Sequence, residues 1–95
     1  MPAYVVVDIT VTDPVRYEEY KKLAAAAVAA YGGRYLARGR QAEVLEGNWA
    51  PTRLVILEFE NAAQAKQWLE SPEYAPARQM RHETATTNMV VIEGV

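Results

Sequence analysis

Three segments of this chain are apolar without interruption: Tyr4-Val5-Val6-Val7, Leu54-Val55-Ile56-Leu57 and Met89-Val90-Val91-Ile92. All three read as strands. A strand with one wet face alternates apolar and polar residues, whereas a strand apolar at every position is buried on both faces. The chain must therefore build a sheet that is covered twice. Its 95 residues suit one domain with a small core, which gains much from a partner. The helices read from the sequence can cover only one side. The simplest cover for the other side is a second copy of the chain.

The remaining elements fall around a hinge, Tyr31-Gly32-Gly33-Arg34-Tyr35-Leu36-Ala37-Arg38-Gly39. Before it, Ala3 to Val11 forms the first strand, with Val5, Val7, Ile9 and Val11 on one face and Tyr4, Val6, Asp8 and Thr10 on the other. Asp13 caps the first helix and Pro14 suits its first turn. That helix runs to about Tyr31, with Tyr17, Tyr20, Ala24, Ala27, Val28 and Tyr31 as its apolar stripe. Gly32 takes the left-handed position that ends it. Beyond the hinge, Tyr35 to Arg38 is the second strand, expected to resume at Glu43 to Glu46. Gly47 to Pro51 is a loop with Trp49 at its tip, and Arg53 to Phe59 is the third strand. Asn61 and Gln64 have the spacing of a capping box. The helix they open buries Ala62, Ala65, Trp68 and Leu69 and is interrupted at Ser71-Pro72. Pro76 kinks or restarts it, and a last helical piece reaches about Glu83. Thr87 to Glu93 is the fourth strand. This β-α-β-β-α-β order, with right-handed crossovers, gives an α+β, ferredoxin-like arrangement: a four-stranded antiparallel sheet with two helices on one face.

Composition excludes several functions. The net charge is −2 with both signs interspersed, so no basic footprint for nucleic acid stands out. The chain has no cysteine, which removes disulfides, thiolate catalysis and cysteine-ligated metal. Its one histidine, His82, lies between Arg81 and Glu83 on what reads as an exposed helix face, without a second imidazole for a metal. No metal and no cofactor are expected. Leu23 to Ala30 is too short to span a bilayer, and the first residues lack the pattern of a signal peptide. A cytoplasmic location without membrane attachment is the expectation.

Several pieces recur in a familiar order: the hinge Tyr31 to Gly39, Leu45-Glu46-Gly47, Pro51-Thr52-Arg53, Glu58-Phe59, Ala65 with Trp68, Ser71-Pro72-Glu73-Tyr74 and Glu93-Gly94. Together they resemble the domain-of-unknown-function 1330 family, within the dimeric α+β barrel superfamily. The resemblance covers the whole chain. It implies a ferredoxin-like protomer whose sheet pairs face to face with a second sheet. Pro76 departs from the family pattern. The superfamily includes cofactor-free monooxygenases, isomerases, haem enzymes and binding proteins, so fold alone does not select a chemistry.

The candidate polar site is Asp8, Arg38, Glu46, Arg53, Glu58, Tyr74 and Arg78. Asp8 and Glu58 share the less aliphatic strand faces, expected to point toward the partner copy. There they either form a tuned polar pocket or an ion pair that fixes sheet register. Arg38, on a neighbouring strand, is the expected partner of one of them. Glu46, Arg53, Tyr74 and Arg78 match family positions and are placed at the mouth of a cleft between sheet and helices, although Tyr74 also suits the anchoring of a turn. Trp68 is read as core. Two functional classes follow. One is a homodimeric small-molecule-binding or structural module. The other is a cofactor-independent enzyme, monooxygenase- or isomerase-like, acting on a small aromatic or carbonyl compound. The expected partners are a second copy of the chain and a small-molecule ligand.

Overall fold

In a computed structural model, which describes the backbone of residues 1–95 and every side chain except that of Arg40, the chain forms four strands and three helices. The elements are β1 (Ala3–Val11), α1 (Pro14–Ala30), β2 (Arg34–Arg40), β3 (Leu54–Phe59), α2 (Ala62–Glu70), α3 (Ala75–Thr84) and β4 (Ala85–Glu93). The strands form one antiparallel sheet in the order β2-β3-β1-β4. This is the ferredoxin-like arrangement.

The alternation of β1 sets the two faces. Ala3, Val5, Val7 and Ile9 are buried, as are Val55, Leu57 and Phe59 of β3. All of these but Ala3 pack with Tyr17, Tyr20, Ala24, Ala27 and Val28 of α1, Ala65 and Trp68 of α2, and Ala77 of α3. The opposite face carries Tyr4 beside Ile92, Val6 between Ile56 and Val90, and Asp8 between Leu54 and Asn88. No helix covers it. Val90 is 62% exposed and Ile92 is 59% exposed, and the molecule is only 16 Å thick along its shortest axis.

The ends of the helices follow from local chemistry. The Asp13 carboxylate accepts from the Arg16 amide at the start of α1. At its end, the Gly33 amide donates to the Val28 carbonyl and the Gly32 amide to the Ala29 carbonyl. This is a Schellman motif, and Gly32 has a φ of +73° within it. Asn61 caps α2 by accepting from the Gln64 amide at 2.7 Å. The capping box is only half formed, however. The Gln64 side chain does not turn back to Asn61 but donates to the Tyr31 carbonyl at 2.6 Å, because that carbonyl, left free at the end of α1, lies within reach. Ser71 ends α2: its hydroxyl donates to the Trp68 carbonyl and accepts from the Tyr74 amide. Pro76 then lies in the first turn of α3, where a missing N–H is harmless, so it restarts the helix rather than kinking it.

Two expectations are corrected here. Residues 43–46 do not resume β2; no strand lies between Arg40 and Leu54. Instead Asp8 anchors this connection, accepting from the Trp49 indole at 3.1 Å and the Thr52 amide at 3.2 Å. Moreover, β2 does not alternate evenly. Tyr35 faces Leu57 and Ala37 faces Ile56, then Arg38 faces Val55 and Arg40 faces Leu54. Two extra residues are thus absorbed as bulges. The second bulge uses Gly39, with a φ of +76°, a backbone that L-residues rarely adopt.

Replacing Gly32 by Val is expected to destabilise the protein by about 1–2 kcal/mol, since a β-branched residue is strained in the left-handed region. Urea unfolding of the two proteins measures this directly. An unchanged midpoint would contradict the cap assignment.

Candidate functional site

The bulges in β2 bring together what the sequence holds apart. With one extra residue between them, Tyr35 and Arg38 lie on the same, helix-covered side of the sheet, opposite Leu57 and Val55. The Arg38 guanidinium stacks over the Tyr35 ring, 4.3 Å from its centroid, and donates to the Lys21 carbonyl of α1 at 3.4 Å. Gly39 leaves room for its neighbour on the other side. A Cβ there would stand 3.0 Å from the aliphatic stem of Arg53, whose guanidinium lies 5.7 Å from the Tyr17 ring centroid.

These residues frame a cavity of about 40 Å³ between the sheet and the helices, which would hold roughly two or three waters. Its apolar wall comes from Val7, Ile9, Val55, Leu57, Trp68 and Met89. Four phenols line it, those of Tyr17, Tyr20, Tyr35 and Tyr74, with the cations of Lys21, Arg38, Arg53 and Arg81, and none of its lining residues is a carboxylate. Arg38 is exposed and Lys21 half-buried at the mouth; Tyr74 and Arg81 are buried at the inner end.

The Tyr20 and Tyr74 hydroxyls bond to one another at 2.9 Å. Burial raises the pKa of both phenols above the usual tyrosine value. For Tyr20 the neighbouring Tyr74 adds to the rise; for Tyr74, the nearby Arg81 charge works against it. Tyr17 and Tyr35 are also raised by burial, opposed by the positive charges of Arg53 and Arg38 respectively. The phenols therefore stay protonated at neutral pH and act as hydrogen-bond donors rather than bases. Protonated phenols and guanidiniums around an apolar slot can hold an oxyanion or polarise a carbonyl. Among the described residues, no group of three or more His, Asp or Glu side chains is arranged to hold a metal ion.

Of the seven residues singled out from the sequence, the cavity gathers Arg38, Arg53 and Tyr74. Tyr74 is not at a mouth, as expected, but fully buried. Glu46 lies exposed in the connection between β2 and β3, and Arg78 turns away to donate to the Leu69 carbonyl at 3.3 Å. Asp8 and Glu58 lie on the opposite face of the sheet, as expected from their strands. Arg38 pairs with neither within the chain. The first bulge carries it to the helix side, so Arg34, directly opposite Glu58, forms the ion pair instead. His82 is exposed. Sequence reasoning missed the burial of Arg81 against the cavity, because a basic residue beside an exposed histidine and a glutamate reads as surface. It weighed the tyrosine stripe with Tyr17 and Tyr20 as a ligand wall and preferred core packing, whereas these two residues both pack in the core and line the cavity. The available signal was the unusual number of tyrosines along one helix stripe.

The chain matches, over residues 2–95, the family described as a domain of unknown function, DUF1330. It belongs to that family. None of the curated proteins matches it. Among solved structures, this DUF1330 protein is similar to a protein of unknown function from Rhodopseudomonas palustris, with a TM-score of 0.79 at 15% identity, covering 99% of this chain and 82% of that one. It is also similar to SnoaB, a cofactor-independent oxygenase from Streptomyces nogalater, with a TM-score of 0.69 at 16% identity over 99% and 93% of the two chains. A dimeric protein of unknown function and ferredoxin-like fold from Bacteroides fragilis gives 0.66 at 17% identity, over 98% and 96%. At these identities the likeness establishes the fold and leaves chemistry to the site. No helix of the DUF1330 protein, among the described residues, is long and apolar enough to cross a membrane.

The raised phenols dictate an alkaline response. In the unfolded chain tyrosine ionises near its ordinary value of about 10, whereas Tyr20 and Tyr74 hold their protons in the folded protein. The folded state therefore binds more protons above that pH, and the stability present below it is lost as pH rises further. The expected result is a stability plateau to about pH 9 and a steep fall beyond pH 10. Tyrosinate absorbance of the two buried phenols should rise together with loss of the circular dichroism signal. Complete titration of all six tyrosines in a protein that stays folded would contradict this.

Proposed function

We propose that this protein is a homodimeric small-molecule-binding protein, and that its ligand is a small, planar, oxygen-bearing anion held between the helices and the sheet. The observation that carries this reading is the charge of the cavity. Four cationic residues and four phenols line it without a carboxylate, in a chain whose net charge is −2. Like charges gathered in a partly dry space repel, and an anion relieves that repulsion. Protonated phenols donate to oxygen, and the stack of Arg38 on Tyr35 offers a flat surface for a flat guest. The cavity as it stands is small, so a ring enters only as the side chains of Arg38 and Lys21 swing outward at the mouth.

The dimer is supported by the uncovered sheet face. Val6, Leu54, Ile56, Val90 and Ile92 share it, with Tyr4 at one end, and Val90 and Ile92 are mostly exposed in the single chain. A second copy matches this face by symmetry and supplies the layer that the chain lacks. The Bacteroides fragilis protein of the same fold is dimeric. In the dimer, Asp8 and the Arg34–Glu58 pair belong to the joint between the sheets, so they fix its register rather than perform chemistry.

A second reading is a cofactor-independent enzyme acting on a small aromatic or carbonyl compound. The specific observation in its favour is the Tyr20–Tyr74 hydroxyl pair beside a buried guanidinium. Donors fixed in advance, in a site shielded from water, are what a developing enolate or phenolate requires. SnoaB, with the same fold, is a cofactor-independent oxygenase.

Light scattering at micromolar concentration is expected to give twice the chain mass, and Ile56→Glu to shift the protein toward the monomer. A stable wild-type monomer would remove the dimer from the reading. Melting curves with 2-hydroxybenzoate and its uncharged amide test the pocket. The anion should raise the melting temperature by several degrees at saturating concentration, less so at high salt, and the amide by much less. Equal or absent shifts with both would overturn the anion reading. Oxygen uptake and exchange of α-protons over a panel of small aromatic and carbonyl compounds separate binding from turnover.

A further inference from the structure

Arg81 is an unusual residue to find at the inner end of this cavity. It is 4% exposed, although its neighbours His82 and Glu83 on α3 are exposed. Its terminal nitrogens meet no carboxylate; their partners are the Met89 sulfur at 4.0 Å and the His82 Nε2 at 3.2 Å. Its Nε is wholly buried and has no hydrogen-bond partner. Among the described residues, the ion pairs are Arg16 with Glu83, Lys21 with Glu18 and Arg34 with Glu58, and none includes Arg81. The acid nearest to it in sequence, Glu83, is engaged by Arg16 and Gln79.

A guanidinium keeps its charge in proteins and carries five N–H donors in a rigid plane. Burying one without a counter-charge opposes folding, and a buried arginine kept for structure is normally paired. The arrangement is incomplete as it stands. What would complete it is a planar acceptor with two oxygens, entering from the cavity that Arg81 lines.

Resting on the binding function proposed above, we infer that Arg81 is the receptor for the ligand's carboxylate, so that the ligand is a small planar monocarboxylate bound with its acid group inward. With a turn of the Arg81 side chain toward the cavity, the Nε–H and a terminal N–H donate to the two carboxylate oxygens. The Tyr20–Tyr74 pair, on the same wall, supplies a hydroxyl donor. The flat body of the ligand extends past Val55 and Leu57 toward Tyr35 and Arg38 at the mouth. The unliganded protein is thus less stable than its core allows, and the ligand restores the difference.

Arg81→Met and Arg81→Lys, compared with wild type, test this by calorimetry and melting with benzoate and benzamide as probes. Arg81→Met keeps the apolar volume and removes the charge. It is expected to weaken benzoate binding about 10- to 100-fold, to leave benzamide binding unchanged, and to melt without ligand at or above the wild-type temperature. Arg81→Lys keeps the charge but loses the planar fork, and should bind benzoate at an intermediate strength. Wild-type benzoate affinity in Arg81→Met would overturn the inference while leaving the pocket reading intact. Unfolding of both variants, or melting well below wild type, would show that Arg81 holds the fold, and would overturn it too. If wild type binds neither probe at millimolar concentration, the pocket reading falls and takes the inference with it.

Discussion

Everything in this structure depends on one mismatch: a sheet with two apolar faces and helices for only one of them. The covered face fixes the core, since Val5, Val7, Ile9, Val55, Leu57 and Phe59 must meet α1, α2 and α3. The helices draw much of their stability from that packing. The uncovered face is what the proposed dimer rests on. A slab 16 Å thick has no second layer in which to hide Val6, Ile56, Val90 and Ile92, and burial of such side chains is worth about 1.5–3 kcal/mol each. The carboxylates on that face are tied down already, Glu58 by Arg34 and Asp8 by the Trp49 indole and the Thr52 amide. Neither is left as a lone charge opposing contact.

Most of this architecture was legible in the sequence because it rests on periodicity and caps. Continuous apolar runs gave the strands, Asp13-Pro14 and Asn61 gave two helix starts, and Gly32 gave a helix end. What could not be read was the course of β2. Its composition, arginine and glycine among aromatic and small residues, has no alternation to set register, and register is weakly specified in such strands. Two bulges follow, and they decide which side Arg38 takes. The expected pairing of Arg38 with Glu58 or Asp8 assumed an even strand; with one residue absorbed, Arg38 lies on the helix side and Glu58 pairs with Arg34.

The candidate site was less legible, for the same reason and one more. Tyr17, Tyr20 and Tyr74 look like core because they are core: they are buried and packed with Trp68 and one another. Their hydroxyls acquire meaning only when β2 brings Arg38 and Tyr35 over them and α3 turns Arg81 inward. Arg81 gave no signal in the sequence because nothing in a single helix turn reveals an arginine that lacks its carboxylate. A core this small rarely tolerates so much polarity, and here the polar groups converge on one cavity.

The hydroxyl pair of Tyr20 and Tyr74 also has a directional property. Two hydroxyls 2.9 Å apart share one hydrogen between them, while the other hydrogen points away from the pair. Either oxygen can take either role by rotation of its O–H bond. The pair therefore behaves as a two-position toggle whose heavy atoms stay still. In one setting the outward hydrogen sits on the α1 side, and in the other it sits on the Ser71–α3 side. An acceptor that reached the cavity would choose the setting by its position, without any repacking of the core.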